Sequence, residues 1–211
     1  MKIDSINITS TGYVDCKSKF YSASDILNGS NYNFNIGINL LTGEIDSGIW
    51  AVSYLLSMYK HRTKDFVLFD NYTVVINGEE ISLNELEKFT CYMDTIHPLF
   101  SSKLSVKKLV EQGLRKIKLD FSTEDVKSIF DLNDQRFERP ISCVGNEVFR
   151  AMAAIAFAHG KQIFCFPWLS QLRFESFHNN LEELLNILVK LNMVVVLPKG
   201  QSRKTGDGSL C

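Results

Sequence analysis

The chain has 211 residues, a length that suits one sizeable domain with room for a helical insertion and is short for two ordinary domains. Hydrophobic residues make up 45% and charged residues 22%, so enough apolar surface can be buried to offset chain entropy, which excludes global disorder. A formal net charge of −1 excludes long-range attraction to nucleic acid or an anionic membrane, and no stretch reaches the roughly 20 apolar residues that span a bilayer.

Residues 1–32 are polar, with a short alternation at Ile3, Ile6 and Ile8, and read as edge strands and turns. The segment 32–41 alternates polar and apolar before Thr42 and Gly43, which predicts a single strand followed by a turn. Residues 49–59 are almost continuously apolar and predict a helix buried on most sides. Two short strands follow over 66–70 and 72–76, with Asn77 and Gly78 as a turn, and Ser82 opens a short helix that carries Glu85.

A longer helix begins at Ser105 and runs to about Lys116; another begins at Ser122 with Asp125 in its first turn, where a carboxylate suits the helix dipole. These two form a helical insertion over about 101–140, which Pro140 ends. The basic residues Lys103, Lys107, Lys108, Arg115, Lys116 and Lys118 read as its solvated face. Residues 145–158 predict a helix with little polar surface, ended by Gly160. A buried strand over 163–166 is cut off by Pro167, an amphipathic helix covers 180–191, and a second buried strand over 193–197 is ended by Pro198. Residues 200–211 read as a flexible tail. Short all-apolar strands alternating with helices imply an α/β fold whose sheet is largely parallel and covered on both faces.

The cysteines Cys16, Cys91, Cys143, Cys165 and Cys211 are odd in number and far apart, which suggests free thiols in a reducing compartment. With His61, His97, His159 and His178 equally scattered, no metal site is expected. The N-terminus shows no signal-peptide core, so a cytoplasmic location is expected, with membrane association only through a partner.

Gly43 and Gly48 have the spacing of the two glycines in a phosphate-cradling loop, with Asp46 and Ser47 between them. Where such a loop carries lysine and a hydroxyl, this chain has Ile49 and Trp50. The order of segments downstream is what extends the match. Residues 74–84 look like an antiparallel hairpin with an Asn-Gly turn; Asp94 stands where a loop glutamine is expected; Ser105-Val106 opens the helical part. Ser142, Gly145, Asn146 and Glu147, followed by Arg150 and an alanine-rich helix, are similar to a Leu-Ser-Gly-Gly-Gln signature and its helix. Pro167 and Trp168 follow a strand at the place of a catalytic Asp-Glu, and Lys199 stands at a switch histidine. Over residues 32–199 this order resembles the nucleotide-binding domain of ATP-binding-cassette (ABC) transporters, in a degenerate form without the family's final strands.

The resemblance implies a P-loop-NTPase-like fold: a mostly parallel sheet flanked by helices, a small antiparallel β part and a helical subdomain. It also implies no ATP hydrolysis, since the groups that neutralise phosphate charge and polarise water are missing at the matching positions. No cofactor is expected, and Asp46 disfavours ATP by repelling polyphosphate. Implied partners are a second ABC-type ATPase or a membrane permease, the latter through residues 92–100; the chain could also pair with itself. The alternative reading is an α/β enzyme or ligand-binding protein whose site is rebuilt around Glu44, Asp46 or Asp94. The pairs Asp94 with His97 and Cys165 with His159 read as structural, while Trp168, just past a strand end, offers an interface.

Overall fold

The structure, a computed structural model, describes residues 2–10, 14–17, 22–25, 31–44, 49–58, 66–68, 72–176 and 178–200. Its centre is a parallel sheet of β5 (Gly37–Thr42), β9 (Thr90–Tyr92), β10 (Ile163–Cys165) and β11 (Val194–Lys199), in the order β5-β11-β10-β9. Successive side chains of a strand point to opposite faces, so a sheet covered on both sides needs apolar residues at every position. Tyr92, Ile163, Cys165, Val194 and Val196 face the helix α1 (Ile49–Met58). Cys91, Met93, Phe164, Phe166, Val195 and Leu197 face α6 (Val148–Ala158) and α8 (His178–Lys190).

A second sheet is antiparallel, in the order β4 (Asn31–Asn35), β1 (Ser5–Ser10), β7 (Tyr72–Ile76) and β8 (Glu79–Ile81). Ile6, Ile8, Phe34, Val74 and Ile76 belong to the same core as α1 and one face of the parallel sheet. Helix α1 is thus enclosed between two sheets, and every residue from Trp50 to Ser57 is buried. Its lack of a polar face follows from that position. A third sheet, in the order β3 (Ser22–Asp25), β2 (Val14–Lys17) and β6 (Phe66–Leu68), is also antiparallel.

The second core gathers α3 (Val106–Ile117), α4 (Thr123–Ile129) and α6 with the α8 face of the parallel sheet. Ser122 caps α4 with a capping box closed by Asp125, and Ser82 does the same with Glu85 for α2 (Leu83–Leu86). α5 (Asp134–Phe137) completes the insertion, and α7 (Gln171–Ser176) follows β10. Helices α3 and α6 cross where Gly113 lies against the backbone of Ala158. A side chain at residue 113 would keep them apart.

Several expectations need correction. Segment 32–41 is not one strand: at Gly37 the backbone takes φ +102°, and the two halves enter different sheets. Asn39 holds the break, its side-chain amide donating to the carbonyls of Asn35 (2.8 Å) and Val195 (3.1 Å). β1 is an inner strand, paired on both sides, because its two isoleucines, Ile6 and Ile8, are needed in the core. Pro198 does not end β11, which continues to Lys199 alongside Thr42. The bonds Val194 N–H to Gln162 and Phe166 N–H to Val196 put the even-numbered backbone groups of β11 toward β10. The N–H missing at Pro198 would therefore point at the carbonyl of Phe166, beyond the last residue of β10, and that carbonyl accepts from Ser53 Oγ instead. Strand β9 and helices α5 and α7 were not foreseen. Gly200, assigned to the tail, is buried, and its N–H donates to Leu169 O at 2.9 Å.

Candidate functional site

The carboxyl ends of β5, β11 and β10 lie side by side, the position where ligands of open α/β sheets usually sit. Gly43 leaves β5 with its N–H on the carbonyl of Lys199, at 3.1 Å. Residues 45–48, which include Asp46, Ser47 and Gly48, lie outside the described residues, so the bend itself carries no geometry here. Ile49 begins α1 half-buried; Trp50 is 2% exposed and turns into the core, edge-on to Tyr54 with ring centroids 6.3 Å apart.

The residues after β10 fold across these strand ends. Trp168 donates its indole N–H to the carbonyl of Gly43 at 3.1 Å. Leu169, buried, bridges to Lys199, its N–H on Pro198 O at 3.1 Å. Gly200 packs on the Trp168 ring so closely that a side chain there would come within 3.0 Å of Cζ2. Lys199 Nζ stands 3.9 Å from the centroid of the Phe174 ring, a cation–π contact. Pro167 sits between, half-buried. Beneath, Ser53 Oγ donates to Phe166 O at 2.5 Å and Ser57 Oγ to Ser53 O at 2.7 Å, tying α1 to the same loop. The structure thus brings together Gly43, Pro167, Trp168 and Lys199, with Ser53 and Leu169 as members that sequence reasoning missed. Ser53 looks like one more buried position of an apolar helix, and only its polar type marks it.

The signature-like residues lie elsewhere, before α6. Ser142, Gly145 and Asn146 are exposed, whereas Glu147 is buried and serves the fold. Arg136 of α5 donates to Glu147 Oε1 at 2.7 Å and also to Asn146 Oδ1, and Asn133 N–H donates to Glu147 Oε2 at 3.3 Å. Arg150, buried in α6, pairs with Asp131 at 2.9 Å and Glu183 at 3.4 Å. Arg136 was not singled out in the sequence, since nothing in the local pattern shows which acid an arginine will meet.

The remaining titratable groups read as structural. Asp94 Oδ1 accepts from Ile96 N–H at 3.1 Å and Thr95 Oγ1 at 3.3 Å, a local turn. His97 is buried and caps the next turn, its Nδ1 accepting from Leu99 N–H at 3.2 Å. Cys165 lies under α1, where burial pushes its thiol up to about 12 while the neighbouring Ser57 and Ser53 hydroxyls lower it. Burial likewise raises the Cys91 thiol, so neither supplies a thiolate. His159 belongs to the α3–α6 contact, its Nε2 3.1 Å from Leu109 O, and burial holds its pKa below the ordinary histidine value. Among the described residues no group of three or more His, Cys, Asp and Glu could hold a metal ion, and no helix is long and apolar enough to cross a membrane.

This arrangement, a parallel sheet in sequence order 1-4-3-2 with an antiparallel sheet over its first helix and a helical insertion, is the fold of ABC-transporter ATP-binding domains. The chain superposes on a Pyrococcus furiosus protein assigned as an ABC-transporter ATP-binding protein with a TM-score of 0.60 at 13% identity, covering 95% of this chain and 94% of that one. Against cbiO1 from Clostridium perfringens, part of the ABC transporter complex cbiONQ, the TM-score is 0.59 at 12% identity, with 94% and 79% covered. A bacterial Atm1-family ABC exporter with ATP bound gives 0.54 at 13% identity; 96% of this chain matches 36% of that longer one. No protein-family model matches the sequence, and neither does any curated protein. The likeness is one of fold, and function has to be argued from the site.

Proposed function

We propose that this chain is a non-hydrolysing counterpart of an ABC-transporter ATP-binding subunit, acting by binding a partner ATPase or permease in a transport or export assembly. The observation that carries this reading is the hydrogen bond from Trp168 to Gly43, which closes the strand ends with an indole where the resemblance expects a catalytic acid. Phosphoryl transfer in this fold depends on positioned charge: a lysine and a metal ion against the phosphates, and a carboxylate for water. Here Trp50 is turned into the core, and Lys199, a cation at the strand ends, is engaged by Phe174. Loss of one such contributor typically costs about 2.7–4 kcal/mol of transition-state stabilisation, so loss of several together leaves no useful rate. An architecture kept without these groups supports a role in binding.

Two measurements test this. Purified chain incubated with ATP and magnesium is expected to release phosphate at the rate of the buffer control; release above it would end the proposal. A tagged chain recovered from its native cells is expected to bring down a second ABC-type ATPase or a permease, and recovery of the chain alone would remove the assembly from the proposal.

A further inference from the structure

β5 ends the parallel sheet on one side. Residues 37, 39, 41 and 43 turn their backbone groups toward β11, as the bonds from Gly37 N–H to Met193 O and from Gly43 N–H to Lys199 O show. Ile38, Leu40 and Thr42 therefore turn theirs outward, and no described residue meets them. Their side chains share the face of Val195 and Leu197; Ile38 is 46% exposed and Leu40 51%.

The stretch 37–43 reads Gly-Ile-Asn-Leu-Leu-Thr-Gly, without a charge, a proline or any other device that usually protects an edge strand from pairing. Three other strands at sheet borders differ. β9 is buried at all three residues, β8 presents Glu79 and Glu80, and β4 offers Asn31, Asn33 and Asn35.

We propose that a second copy of this chain covers this edge, β5 pairing antiparallel with its own copy about a two-fold axis through Leu40. In that register Leu40 lies opposite Leu40 of the second copy, and Ile38 lies opposite Thr42. The outward groups of all three residues then form hydrogen-bonded pairs, and two four-stranded sheets join into one of eight. On the two-fold axis Leu40 alone meets its own copy, so a charge there would repel itself; an uncharged centre is the kind that fits a copy. The opposite border, β9, is buried, so pairing closes at two chains and does not extend into a fibre. A strand edge alone falls in the weak, transient class of interfaces, below about 1,200 Å², so the dimer is concentration-dependent. None of this rests on the reading of the strand-end site.

The test is sedimentation velocity of the full chain over a concentration series, with Leu40→Lys and, as control, Leu172→Lys at a 79% exposed residue outside this edge. The wild type and the control are expected to dimerise alike, while Leu40→Lys, with unchanged circular dichroism, weakens association by about tenfold or more. The register is read by mild oxidation after the exposed Cys143 is changed to serine. Opposed residues of a hydrogen-bonded antiparallel pair lie about 5.5 Å apart at Cα, within disulfide reach. Leu40→Cys is therefore expected to cross-link with itself, and Ile38→Cys only when mixed with Thr42→Cys. A chain that is monomeric at every concentration, a dimer indifferent to Leu40→Lys, or preferential self-linking of Ile38→Cys would overturn the proposal.

Discussion

Replacing Gly113 by alanine sets two effects against each other. Glycine in a helix interior is about 0.8–1.0 kcal/mol less favourable than alanine, so on propensity alone the change in α3 should stabilise the protein. In the structure the new Cβ would stand 2.5 Å from Cδ2 of His159 and 2.7 Å from both C and O of Ala158. A histidine side chain can rotate away; the backbone of a buried helix cannot. Overpacking costs about 1–3 kcal/mol, and a backbone clash belongs toward the upper part of that range, which leaves a net loss of about 1–2 kcal/mol. Urea denaturation should show a lower midpoint at unchanged slope, and a melting temperature lower by roughly 2–4 °C per kcal/mol. Repeating the change in a His159→Ala background separates the causes, because the loss should persist when only the side-chain contact is relieved. A midpoint at or above that of the wild type would refute the close approach of α3 and α6.

Ser53→Ala should destabilise the fold by about 1–3 kcal/mol in thermal or urea unfolding, because the carbonyl of Phe166 loses its hydroxyl partner in a buried place. For His159 the folded-state pKa lies below the unfolded value, so its contribution is complete above about pH 6.5 and is lost as pH falls from there through the folded value. Stability measured from pH 8 to 5 should therefore decline on acidification, and His159→Gln should remove that component. Among the described cysteines, Cys143 should react with a thiol reagent in the native state, while Cys91 and Cys165 should react only on unfolding; mass spectrometry of labelled peptides reads the order directly.

Much of the fold is legible in the sequence because local rules and tertiary demands agree there. The capping boxes at Ser82 and Ser122 form as their spacing requires, and the Asn77-Gly78 turn joins β7 to β8. The runs at 163–166 and 193–197 become strands buried on both faces. The misses lie where the two levels diverge. Segment 32–41 alternates without a break as far as Leu40, yet Ile36-Gly37 divides it between sheets, and periodicity is blind to a change of partner. Residues 90–92 are too short to show a period, and only their place beside β10 makes them a strand. Of the candidate site, the resemblance singles out residues 49, 50, 167, 168 and 199; it does not tell that Trp168 reaches Gly43, 125 positions away.

Taken alone, the order of residues determined which segments are apolar enough to be buried and where the longer helices begin. Those are properties of composition and of contacts a few residues apart. Only the tertiary structure decided that Glu147 is consumed by Arg136, that β11 runs on through Pro198, that Lys199 is held over Phe174, and that no described residue pairs with the outer edge of β5. Each depends on which distant groups meet once the chain is packed, and hydrogen bonds and steric contacts act over a few ångströms of space, whatever the separation along the chain.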